Sequence, residues 1–305
     1  MTLRNEWFFP RGRLARDEWE SVVDDQVPGW RHTGLRVANV TPRDALSLRA
    51  SAVERLIVPL AGAFTVGHDD HVTELAGRSS VFDGPTDVLS LPTGSAATIK
   101  GEGRVAVAEA PASVAYPTRH ILRDEVPVEL RGAGRSSRQV HNFGTPQVLA
   151  ADRFIVCEVI TPAENWSSYP PHKHDVSGET ESRLEEIYYF ESAVSRAVAP
   201  EVAPREADAF GYLRTYSSAA GDIDTLAEVR TGDIGLVPYG WHGPCAAAPG
   251  YDLYYLNVMA GPDPERVWNI SDDPAHSWVR ASWEGQDIDP RLPYLSPADR
   301  TGENR

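Results

Sequence analysis

The chain is 305 residues long, 41% hydrophobic and 24% charged, an ordinary globular composition with enough length for one large or two medium domains. Its formal net charge of −15 excludes long-range attraction to nucleic acid or to an anionic membrane surface, and no basic run marks such a partner. Two cysteines are too few for a disulfide framework, and 24 glycines with 24 prolines fit short strands joined by turns better than long helices.

The opening residues, Met1 to Trp7, lack the apolar core of a signal peptide. The longest apolar stretch, residues 56–66, is interrupted by Pro59 and Gly62 and is too short to span a bilayer. A cytoplasmic protein is expected. In the first half, β-type runs at residues 55–62, 78–82 and 87–92 are separated by turn-forming residues. His68 and His71 flank Asp69-Asp70, a spacing that suits exposed residues of a hairpin turn. Glu54 stands before one apolar run as Glu186 stands before another, as if at equivalent places in two related barrels. No His-x-His precedes Glu54, so residues 1–130 are expected to form a structural barrel without metal. Residues 131–142, polar and glycine-containing, read as the connection between halves.

The second half repeats the rhythm from residues 154–160 to 251–257 and carries the chemistry. Alternation in a strand puts His172 and His174 on one face and turns Lys173 to the other. By the same rule Glu186, Tyr188 and Phe190 share a face, which favours Glu186 over Glu185 as a ligand. His242 ends the turn Gly232-x5-Pro238-x-Gly240-x-His242, whose glycines and proline would aim it back into a barrel mouth. Three imidazoles and one carboxylate suit a single divalent ion with positions left open for substrate; a structural zinc site would favour cysteines. Cys157 reads as a buried thiol, and Cys245, three residues after His242, could be a spare ligand. The expected divisions are residues 131–281 for a metal-binding barrel and 282–305 for an extended tail of the kind that clasps a neighbouring subunit, so a homo-oligomer is expected.

These motifs resemble those of the cupin superfamily. More narrowly, residues 165–175 (NWSSYPPHKHD), 184–189 (LEEIYY) and 251–261 (YDLYYLNVMAG), with 75–82 and 131–142 in the first half, are similar to the 5-deoxy-glucuronate isomerase family of inositol catabolism. The resemblance implies an all-β bicupin, two tandem cupin β-barrels with a few short helices, whose second barrel holds a divalent metal on His172, His174, Glu186 and His242. It also implies conversion of the aldose acid 5-deoxy-glucuronate to the ketose acid 5-dehydro-2-deoxy-gluconate. The spacing from His174 to Glu186 exceeds the general cupin pattern, and the polar segment 175–183 fits a loop inserted there. Glu164 replaces an expected small residue in the turn before Asn165-Trp166.

An aldose–ketose isomerisation needs charge stabilised on two adjacent oxygens, work suited to zinc first and also to manganese, iron or nickel. If a proton is carried between carbons a base is required, and Glu158 and Asp175 are the carboxylates nearest the ligand strands; each could instead serve in an ion pair or a turn. A small-molecule sugar acid needs a local positive charge. Tyr212, Arg214 and Tyr216 share one strand face that could supply it or face solvent, and Tyr255 and Asn257 are further substrate-binding candidates. Two other classes fit the same ligands: a cupin dioxygenase using ferrous iron, and a non-catalytic sugar-binding bicupin.

Overall fold

The computed structural model describes residues 5–199, 201–204 and 206–295. Every strand pairing among them is antiparallel, and helix is confined to 3-10 turns at Arg123–Glu125, Gly134–Ser136 and Ser277–Trp283, so the expected all-β fold holds. In the first half, an eight-stranded sheet runs in the order Ser21–Val23, Gly34–Val40, Ala97–Pro111, Val53–His68, Val88–Leu91, Arg119–Ile121, with Leu46–Leu48 and His71–Arg78 attached to its long central strands. The second half builds a seven-stranded sheet, Phe8–Phe9, Ile234–Val237, Glu185–Val194, Tyr251–Ala260, Ile155–Thr161, Arg138–Gly144, Val128–Arg131. Facing it is a four-stranded sheet of Trp166–Ser167, Cys245–Ala247, Gly211–Ser218 and Gly221–Val229.

The central strands are apolar on both faces because both faces are covered. Ile57, Phe64, Ile99 and Val107 fill the inside of the first barrel, while Val159, Tyr188, Phe190, Leu213 and Tyr255 fill the second. The alternate residues pack the barrels back to back: Leu56, Val58, Ala106 and Ala108 from one half meet Ile160, Ile187, Tyr189, Leu256 and Val258 from the other. Each fully buried Leu, Ile or Val there contributes roughly 1.5–3 kcal/mol.

Two carboxylates cross this contact reciprocally. Glu185 accepts the backbone N–H groups of His32 at 2.5 Å and Thr33 at 2.7 Å, with Arg31 at 3.3 Å. Glu54 accepts those of Asp152 at 2.7 Å, Arg153 at 2.7 Å and Phe154 at 2.9 Å. The counterpart of Glu54 is therefore Glu185, not Glu186 as the sequence suggested, and the first-barrel position matching Glu186 is Arg55. The registers agree, since Glu54 lies opposite Ala110 and Glu185 opposite Ala260. Arg55 points into the first barrel and pairs with Glu109 at 2.8 Å, so an internal ion pair stands where the second barrel places a carboxylate among histidines.

Several further expectations change. Residues 131–142 are not a plain connection, because Arg138–Gly144 is a sheet strand with His141 fully buried. His68 is buried and bonded to Thr73 at 2.9 Å, although His71, across the turn, is exposed. Phe8–Phe9 joins the second sheet rather than the first, covering the edge of Ile234–Val237. Of the expected tail, residues 282–295 fold back onto their own chain. Leu292 and Tyr294 are buried, and Tyr294 exchanges backbone hydrogen bonds with the Gln139 side chain at 2.6 and 3.1 Å. The remainder, 296–305, lies outside the described residues.

Removing the Glu185 carboxylate strands buried N–H donors, so Glu185→Ala should lower unfolding stability by about 2–4 kcal/mol, read as a urea midpoint shift at constant slope.

Candidate metal centre

Backbone pairing brings the first and last histidines together. His172 N–H donates to His242 O at 2.9 Å and His242 N–H to His172 O at 2.8 Å, an isolated bridge between distant segments. His172–Lys173 also pairs with Ser271–Asp272, which pins the segment from its other side. Alternation then places the His174 ring beside both, with ring centroids 4.5 Å from His242 and 6.1 Å from His172. One nitrogen from each of the three rings lies within 4.8 Å of the others. Glu186 approaches from the barrel wall, its Oε2 3.2 Å from His174 Nε2 and 3.1 Å from His242 Nε2. All four residues are buried.

The rings are oriented from behind. His174 Nδ1 donates to Leu184 O at 3.0 Å and His242 Nδ1 to Gly240 O at 2.7 Å. Those outer bonds leave the Nε2 lone pairs of His174 and His242 directed at the centre, the arrangement a metal-binding histidine requires. The two Nε2 atoms are 3.0 Å apart. Two nitrogens each about 2.1 Å from one ion and at right angles have about that separation. The His174 and His242 donors are thus spaced for one divalent ion, with a His172 nitrogen within 4.8 Å of them.

Electrostatics agree. Burial works to raise the Glu186 carboxyl, but the adjacent His174 and His242 rings hold it down at about 2, so it is an anion. Burial, with the charges of His242 and His174, pushes His172 well below the usual imidazole range. Burial likewise drives the Tyr188 and Tyr255 phenols up, and they stay protonated beside the site.

The other candidates fall in different places. Glu158, expected as a base, projects from the opposite face of its strand into the contact between barrels. It makes a two-pronged pair with Arg78 at 2.6 and 2.7 Å and bonds His141 at 2.5 Å and Tyr254 at 2.7 Å. Asp175 is nearer but fully engaged, accepting from Lys173 Nζ at 2.7 Å, Ser218 Oγ at 2.5 Å and Gly240 N at 3.0 Å. Gly240 thus links Asp175 to the His242 ring, its N–H donating to the carboxylate and its carbonyl accepting from His242 Nδ1. Lys173 does turn away, bridging Asp175 and Glu181, and Glu181 also accepts the Asp175 and Val176 backbone N–H groups. The long 175–183 segment is thus a closed loop, and the sequence carried no signal for Glu181 as its organiser.

Tyr212 and Arg214 are corrected too. Leu213 and Thr215 fill the inward face of Gly211–Ser218, while Tyr212 is exposed near Glu228 and Arg214 pairs with Asp224 outside the barrel. Tyr255 and Asn257 do face inward. The Tyr255 hydroxyl bonds Ser167 at 2.9 Å and Ser168 at 2.8 Å, and its ring is 5.3 Å from Tyr188, itself 6.5 Å from His242. Asn257 is buried opposite Tyr188 and Cys157. Cys157 and Cys245 are both buried free thiols.

Comparison with known proteins places these features in company. The KduI/IolB family model matches residues 8–279. A Geobacillus thermodenitrificans protein named 5-deoxy-glucuronate isomerase is 37% identical over 265 residues, 85% of this chain and 90% of its own length. One of the same name from Geobacillus kaustophilus is 38% identical over 276 residues, 89% and 92% of the two chains. The crystal structure of an IolB-like protein from Salmonella typhimurium LT2 superposes with a TM-score of 0.79 at 32% identity, covering 92% of this chain and 99% of that one. Lactobacillus farciminis oxalate decarboxylase matches at a TM-score of 0.59 and 11% identity over 100% of this chain and 93% of its own, a likeness of fold alone that agrees with a bicupin.

Because Tyr212 and Arg214 lie outside the barrel, Tyr212→Phe and Arg214→Ala should change stability by no more than about 1 kcal/mol. Cobalt(II) uptake followed by absorbance should match that of the unaltered chain.

Proposed function

Since this chain belongs to the KduI/IolB family, we propose that it is an aldose–ketose isomerase that converts 5-deoxy-D-glucuronate to 5-dehydro-2-deoxy-D-gluconate in the cytoplasm as a step of myo-inositol catabolism. His172, His174, Glu186 and His242 hold its metal, with zinc the first choice. The observation that carries this reading is the convergence of three imidazoles on one buried carboxylate, inside a chain 37% identical to a protein of that name. When bound, a divalent ion supplies Lewis-acid stabilisation of the adjacent carbonyl and hydroxyl oxygens.

The chain's own groups do the rest. His174 and His242 keep their Nδ1 protons on carbonyls and offer Nε2, so neither serves as a proton carrier. The phenols of Tyr188 and Tyr255, kept protonated by burial, act as hydrogen-bond donors and acceptors toward sugar hydroxyls, not as bases. The walls of Phe190, Val159 and Leu213 exclude water behind them. Asp175 is a positioning residue: through the Gly240 N–H it fixes the turn that aims His242.

Metal-loaded protein incubated without oxygen with 5-deoxy-glucuronate should yield the ketose by NMR, and His174→Ala should abolish turnover; conversion only with oxygen consumption would replace the isomerase by a dioxygenase. Asp175→Asn separates positioning from catalysis. Metal affinity should fall about 10–100-fold while turnover at saturating metal persists; loss of turnover at full occupancy would restore Asp175 as the base.

A further inference from the structure

Resting on the isomerase reading, we propose that Arg138 anchors the carboxylate of the sugar acid, holding the charged end of the substrate inside the second barrel while the carbonyl end lies at the histidines. Among the described residues four arginines are buried: Arg55, Arg78, Arg104 and Arg138. The first three each have a carboxylate partner, Glu109, Glu158 and Glu20 respectively. Arg138 has none within 4 Å among the described residues. Its one hydrogen bond runs from Nη1 to the Ser136 carbonyl at 3.1 Å, so most of its five N–H groups are unspent. A buried guanidinium without a counter-ion is costly, and chains retain such a charge where an anionic ligand supplies the missing partner.

The surroundings lack acceptors in the same way. The guanidinium lies 5.9 Å over the Trp283 ring, and Trp283 Nε1 is buried with no hydrogen-bond partner. Arg280 lies over the same ring at 5.4 Å, and Arg131 is the cross-strand neighbour of Arg138. Burial lowers the Arg138 pKa to about 10, so it is charged at neutral pH, beside Arg131 and Arg280, which each pair with a carboxylate of their own. An acidic protein of net charge −15 needs such a local positive charge to admit an anion.

Arg138 shares a strand face with Val140, which packs in the same cluster as Tyr255, whose ring contacts Tyr188, whose ring in turn contacts His242. From the other side, Arg280 pairs with Asp272, the strand partner of His172. The anion site thus lies on the far side of the Tyr255–Tyr188 pair from the histidines, and an open-chain sugar acid carries its carboxylate at the end opposite its reacting carbonyl.

The test uses metal-loaded Arg138→Met and Arg138→Lys with three ligands: 5-deoxy-glucuronate, its uncharged counterpart 5-deoxy-glucose, and gluconate, which binds as a carboxylate but has no aldehyde to isomerise. The preference for the acid over the neutral sugar in kcat/KM should fall on the order of a hundredfold in Arg138→Met, chiefly through KM, and less in Arg138→Lys. Calorimetric binding of gluconate should be lost in Arg138→Met, and its melting temperature should hold or rise because an unpaired charge has been removed. A retained preference for the acid, retained gluconate binding, or a preference unchanged alongside a lowered melting temperature would each overturn the anchor. Gluconate binding that depends on Arg138 in a protein that isomerises no aldose would sustain the anchor and overturn the isomerase.

Discussion

Three backbone N–H groups converging on the Glu185 carboxylate hold the most consequential strand of the molecule in place. Glu185 and Glu186 are adjacent, and in a strand they face opposite ways. One is stitched to the loop of the other barrel, and its neighbour is thereby delivered to the histidines. The site is therefore set by a contact outside the barrel that contains it. Glu54 makes the mirror-image stitch in the other direction, so each half fixes the entrance of a strand in its partner. The Arg78–Glu158 pair lies in the same seam, its charges buried but matched by two parallel bonds and by His141 and Tyr254.

The two barrels use one architecture for different ends. Where the second offers Glu186 to a cluster of histidines, the first has Arg55, tied to Glu109, to Ser51 at 2.8 Å and to the carbonyls of Ser95 and Arg49. Arg55 and its carboxylate partner thus take the place in the first barrel that Glu186 takes in the second. The first barrel is thereby committed to the seam, and its interior is closed by a self-sufficient polar pair.

Much of the centre was legible in sequence because alternation is a local rule. It put His172 beside His174, turned Lys173 away and chose Glu186, and the structure has all three arrangements. Alternation says which residues share a face but not which face is inside, and that is where Tyr212 and Arg214 went astray; apolar Leu213 between them was the available clue. Likening Glu54 to Glu186 failed by one residue, enough to exchange the inside of a barrel for its outside. Arg138 was hidden for another reason. A strand whose inner face is polar looks like a connection when apolarity is the only guide, and only its register against Ile155–Thr161 shows it to be sheet.

The pairing of Phe8–Phe9 with Ile234–Val237 has a bearing on how the molecule is made. The edge that Phe8–Phe9 covers does not exist until more than two hundred further residues have left the ribosome, so this strand stays without its partner until then. The same pairing ties the beginning of the chain to the strand that leads into the His242 turn. The second barrel is thus completed by a segment made more than two hundred residues before the strand it covers.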